Sequence, residues 1–129
     1  MNQAPDITVV LADAPGASRD ALAGLIASAP GLTVIAQVST KAELESVVRE
    51  GRADIVLLDD RLLRDGTLRA SRFDAPFVIT GVVDDPAYAH RARRIGAVAW
   101  VPKEEPDEIL DALRAAGSSA APAPLVATG

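Results

Sequence analysis

The sequence predicts an α/β domain, a single five-stranded parallel sheet with helices on both faces. Three observations carry that expectation. Short runs rich in Val and Ile recur along the chain, segments of helical period stand between them, and the two kinds alternate strictly. Runs apolar on both faces suit strands covered on both sides, and strand-helix-strand order requires crossovers that keep the strands parallel. A ligand crevice in such a sheet lies at the carboxyl ends of the strands.

The strands are expected at ITVVLA (7–12), LTVIAQV (32–38), DIVLL (54–58), FVIT (77–80) and AVAWV (97–101). Between the first two lies SRDALAGLIASA, stopped by Pro30-Gly31. TKAELESVVRE follows, opened by a capping box of Thr40 and Glu43 and closed by Gly51. TLRASRFDA, between the third and fourth strands, has room for a short helix at most. PAYAHRARRI carries Asp85 as cap, Pro86 at the first helical position and Gly96 as stop. The last helix, PDEILDALRAA, begins at Pro106. The domain is expected over residues 1–116, and residues 117–129, GSSAAPAPLVATG, read as a flexible tail or the start of a linker.

Composition removes several functions. With 129 residues the chain has the size of one domain, and nothing in it repeats at a solenoid period. It has no cysteine and one histidine, His90, which excludes disulfides, thiolate zinc sites and cysteine nucleophiles, and disfavours His-based catalytic pairs. A reducing cytoplasmic setting fits. No targeting signal and no apolar run long enough to cross a bilayer is read. Thirteen basic against eighteen acidic residues give a net charge of -5, which disfavours direct binding of nucleic acid or an anionic membrane.

The stretch DIVLLDD ends a buried strand in two consecutive acids, Asp59 and Asp60. Carboxylates there repel each other and resist desolvation, so that edge of the sheet must supply positive charge. The fold reading puts Asp13 at the end of strand one, Thr80 at the end of strand four and Lys103 just past strand five, all facing one crevice. Acids, a hydroxyl and an ammonium together suit a hard cation beside a carboxylate, and phosphoryl chemistry on that carboxylate.

Through ITVVLADAPGASRDAL, ADIVLLDDR, Thr80-Gly81, RARRIGAVAWVPK and PDEILDALRAA, residues 7 to 116 resemble the receiver domain of bacterial two-component response regulators, NarL/FixJ-like. The resemblance implies a flavodoxin-like (βα)5 fold and a signalling module, not an enzyme. It would take a phosphoryl group on Asp59 from a histidine kinase or other phosphodonor and control an output domain or partner, commonly in transcription. Thr80 then matches the hydroxyl that bonds the phosphoryl group, Lys103 the lysine that pairs with it, and Trp100 the switch aromatic. Magnesium would be held by Asp13, Asp59 and the backbone carbonyl of Arg61. The face of the fourth helix, fifth strand and fifth helix, with Arg91, Arg93 and Arg94, would serve as partner surface or homodimer interface.

The chain also departs from that pattern. A gapless match puts Ala14 where the family has a second metal-binding acid, which weakens the expected magnesium site. The loop DRLLRDG is one residue short and has Leu63 near the usual proline, the third helix is clipped, and Pro102 precedes Lys103. These mark a degenerate receiver, or pseudo-receiver, and leave a second function open: a phosphorylation-independent domain acting through protein contacts or a small ligand. Plain readings stand beside the functional ones. Asp60 reads as a solvated loop residue, Trp100 equally as core, and the arginines of the fourth helix as a solvated face. Arg61 and Arg64 either flank the loop or place one guanidinium against the acids instead of a metal. A free-standing enzyme is disfavoured, because no Gly-rich phosphate loop or flavin phosphate cradle is present.

Overall fold

The computed structural model describes residues 6–64, 75–82, 90, 92–94 and 96–120. Its strands are β1 (Ile7–Ala12), β2 (Leu32–Val38), β3 (Ile55–Asp59), β4 (Phe77–Gly81) and β5 (Ala99–Pro102). Its helices are α1 (Ala17–Ala27), α2 (Lys41–Arg49), α3 (Asp60–Arg64) and α4 (Pro106–Ala120). His90, Ala92, Arg93 and Arg94 are helical as well, inside the segment predicted as the fourth helix. Its expected cap and first residue, Asp85 and Pro86, lie outside the described residues, as do Arg91 and residues 67–74 of TLRASRFDA.

Local signals explain most boundaries. Thr40 caps α2 with its side chain accepting from the Glu43 N–H, and Glu43 reaches back to the Thr40 N–H, so two otherwise unpaired donors are satisfied at once. The helix ends at Gly51, whose φ of 78° is a left-handed conformation that a side chain would strain. Two expectations need correction. α4 runs to Ala120, through residues read as tail, because Gly117 lets the helix lie against the start of β1, with Ile7 filling the place of its missing side chain. Residues 121–129 of that tail lie outside the described residues. A helix also begins at Asp60, inside the stretch read as a loop, because Asp59 Oδ1 accepts the Arg61 N–H at 2.8 Å and so caps it.

All strands pair in parallel, in the order β2-β1-β3-β4-β5. The chain runs outward from β1 to β2 and then crosses back to β3, so the switch point lies between β1 and β3 and opens a crevice at their carboxyl ends. Period-two alternation sorts the strand side chains into two core layers. Val9, Leu11, Ile55, Leu57, Val78 and Val101 pack with Leu22 and Ile26 of α1 and with Ile109 and Leu113 of α4. Val10, Ala12, Val56, Leu58 and Ile79 pack on the other face with Leu44 and Val48 of α2, Leu62 of α3 and Ala92. Among the described residues no helix is long and apolar enough to cross a membrane.

The same alternation separates the paired acids at the end of β3. Asp59 continues the row of Ile55 and Leu57, toward α1 and α4, whereas Asp60 falls on the opposite face. Asp60 is buried, not the solvated loop residue expected, because its carboxylate fills the space that Gly81 leaves by having no side chain. A Cβ at Gly81 would stand 2.6 Å from Asp60 Oδ2 and 2.8 Å from its Cγ. Gly81→Ala should therefore destabilise the domain by about 1–3 kcal/mol in urea unfolding. Gly81→Ala combined with Asp60→Gly should cost less than the two single changes added together. Strict additivity would show that the two residues do not share that space.

Candidate functional site

The β1–β3 register sets Ala12 opposite Leu58, so the next residues, Asp13 and Asp59, leave the sheet side by side at the switch point. β4 adds Thr80 as the register partner of Asp59, and Lys103 follows the end of β5, its N–H bonded to the Gly81 carbonyl at 2.8 Å. Four of the residues expected at one crevice are thus delivered to it by strand ends. The acids are almost wholly withdrawn from water: Asp13 is 0% and Asp59 2% exposed.

Two cations answer them. Lys103 Nζ makes an ion pair with Asp59 Oδ2 and stands 3.5 Å from Asp13 Oδ2. It also donates to Ser18 Oγ at 2.5 Å, while Ser18 lies 3.5 Å from Asp13 Oδ2. Arg61 covers the opposite edges of the same acids. Its Nη2 donates to Asp13 Oδ1 at 2.9 Å, its Nε to Asp59 Oδ1 at 3.2 Å and its backbone N–H to that same Oδ1. The Ala14 N–H completes the set with a 2.7 Å bond to Asp13 Oδ1.

Burial raises the Asp59 pKa, but hydrogen bonds from Lys103 and from the Arg61 N–H and guanidinium outweigh it, and the net displacement is downward. Asp59 is therefore ionised at neutral pH. The Arg61 guanidinium is held still more firmly protonated, first by its hydrogen bond to Asp59 and then by that carboxylate's charge.

Thr80 is fully buried, and its hydroxyl donates to the Val101 carbonyl at 2.8 Å, across the β4–β5 pair. Trp100 pairs with Ile79 and lies half-buried against the α2/α3 core, on the face opposite the acids. Arg93 and Arg94 are exposed, and Arg91 lies outside the described residues. Ser18 was not foreseen; its only signal is its place early in α1, just after the Asp13 loop. Asp60 is buried but belongs to the other face of the sheet.

The donor set does not fit magnesium. That ion requires near-octahedral oxygen ligation at about 2.1 Å, whereas the facing Oδ1 atoms of Asp13 and Asp59 are both hydrogen-bonded by Arg61. Position 14 supplies no carboxylate, and among the described residues no three His, Cys, Asp or Glu side chains gather as a metal site. The Arg61 backbone N–H is bonded to Asp59 Oδ1 at 2.8 Å.

No protein-family model and no curated protein matches this sequence. Solved structures do. The signal receiver domain of NarL from Mycobacterium tuberculosis superposes with a TM-score of 0.71 at 18% identity, over 86% of this chain and 98% of that one. A two-component response regulator of the LuxR family from Aurantimonas gives 0.70 at 24% identity, over 88% of this chain and 86% of that one. A structure of the CheA3 P1 domain in complex with CheY6 from R. sphaeroides gives 0.67 at 24% identity, over 87% of this chain and 99% of the chain matched. A five-stranded parallel sheet in the order 2-1-3-4-5, with acids at its switch point and this likeness across most of the chain, is the fold of response-regulator receiver domains.

Proposed function

We propose that this domain is the receiver module of a two-component pathway and that Asp59 is its phosphoacceptor. The observation that carries the reading is the placement of Asp59 at the carboxyl end of β3, ionised, with Lys103 against one oxygen and Thr80 beside it in β4. In the transfer, an Asp59 oxygen forms a bond to phosphorus as the bond from phosphorus to the donor's leaving group breaks. The leaving group takes up a proton from solvent. Lys103 would neutralise charge on the phosphoryl oxygens and hold Asp59 in line, a contribution of position and electrostatics. The donor would be a histidine kinase or a small phosphodonor, in keeping with the CheA3 P1–CheY6 complex among the similar structures.

Transfer would be slow, because Asp59 must first lose Arg61. The Arg61 side chain is 55% exposed, so it can swing outward without disturbing the core. That same burial and pairing of Asp59 favours a second reading, in which the domain works through protein contacts with no phosphoryl group. In either case the exposed Arg93 and Arg94, with the exposed acids Asp107, Glu108 and Asp111 of α4, would form the partner surface, to an acidic partner or a second copy of this chain.

Intact-mass measurement after incubation with acetyl phosphate or phosphoramidate decides between the readings. The first expects a single phosphoryl adduct that is absent in Asp59→Asn. Unchanged mass across donors, with and without magnesium, would contradict it and leave the contact-only reading. For the partner surface, sedimentation should show self-association that weakens with salt and in Arg94→Glu. A monomer at all salt concentrations would exclude the second copy.

A further inference from the structure

Two buried carboxylates held edge to edge need positive charge between them. Lys103 supplies one unit from the side of Ser18, and it reaches Asp59 Oδ2 and Asp13 Oδ2. The other edge, formed by the two Oδ1 atoms, is bridged by a guanidinium from the second residue of α3. Formal charge balances: two carboxylates meet one ammonium and one guanidinium. Adding a divalent cation without removing Arg61 would leave the pocket with two excess positive charges, and no further carboxylate at position 14 is present to absorb them.

We propose that the Arg61 guanidinium is the resident cation of this pocket, held between Asp13 and Asp59 in the position a divalent metal would need, so that the folded domain takes no magnesium. Three features make Arg61 suited to this. Its fork bonds the two acids through different nitrogens, Nη2 and Nε, which a lysine ammonium would not match in geometry. Its backbone N–H is already fixed on Asp59 by the start of α3, so the side chain sets out from a position tied to the acid it neutralises. The guanidinium is also always charged, so the neutralisation persists across the physiological pH range. Its side chain is 55% exposed while it makes these bonds, so the guanidinium lies at the solvent boundary of the pocket as a cover over the acids.

This inference concerns the pocket and does not depend on Asp59 ever being phosphorylated. Its test therefore uses magnesium alone, with thermal unfolding and calorimetric titration as readouts. Wild type should show no magnesium-dependent rise in Tm and no saturable heat. Arg61→Met keeps an apolar stem but removes the charge; it should unfold at lower temperature without magnesium and gain about 3 °C or more when magnesium is added. Ala14→Asp combined with Arg61→Met should gain more, by restoring a third carboxylate. Asp59→Asn combined with Arg61→Met should lose the response. Arg61→Gln serves as a second neutral variant should Arg61→Met not fold, with the same gain expected. Saturable magnesium stabilisation of the wild type equal to that of Arg61→Met would overturn the proposal, because Arg61 would then not stand in the metal's place. A lack of response in Arg61→Met, Arg61→Gln and the Ala14→Asp combination alike would overturn it too, since removal of the guanidinium would not have opened a cation site.

Discussion

Everything at the carboxyl edge of this sheet follows from one constraint: the β1–β3 register delivers two carboxylates, Asp13 and Asp59, into the same buried place. Left alone they would protonate or force the strand ends apart. The rest of the site is arranged to prevent that. β5 ends so that Lys103 reaches back over both acids, α1 begins so that Ser18 can hold the lysine, and α3 starts at once after β3 so that Arg61 returns to its predecessors. The direct step from β3 into α3, with no residue between them, is then explained by electrostatics as much as by chain connection. Breaking one partner of such a group costs more than the pair contributes, because the remaining charge stays buried.

The sheet was legible because its strands are apolar on both faces and bounded by turn chemistry. ITVVLA and LTVIAQV coincide with β1 and β2, and the other three strands differ from expectation by one or two residues at their ends. Strand-end placement also led directly to Asp13, Asp59, Thr80 and Lys103. What did not read through depends on tertiary contact. GSSA has little to recommend it as helix, yet it continues α4 because Gly117 allows the helix to approach Ile7. Asp60 resembles a loop acid in one dimension, and only the pairing of β3 with β4 shows that Gly81 leaves it a buried slot. Arg61 had three roles open: flanking the loop, a backbone carbonyl toward a metal, or a guanidinium toward the acids. Position along the chain cannot separate them, whereas the geometry places the guanidinium on both carboxylates.

Signalling by a domain of this fold requires a second packing close in free energy to the first. Here two features weight the balance toward the arrangement described. Thr80 already spends its hydroxyl proton on the Val101 carbonyl, so any movement toward Asp59 must break a buried hydrogen bond. Trp100 lies on the other face, half-buried against the α2/α3 core, and its size makes reorientation more demanding than for a smaller ring. A pocket neutralised by its own side chains, a committed threonine and a large aromatic together hold the domain in this one packing, with the half-exposed Arg61 at its solvent boundary.

A crystal structure grown from a magnesium-rich solution tests the central claim most directly. The account predicts the Arg61 guanidinium still bridging Asp13 and Asp59, with no metal between the two Oδ1 atoms. An octahedral magnesium bound to both carboxylates, with Arg61 turned out into solvent, would contradict it.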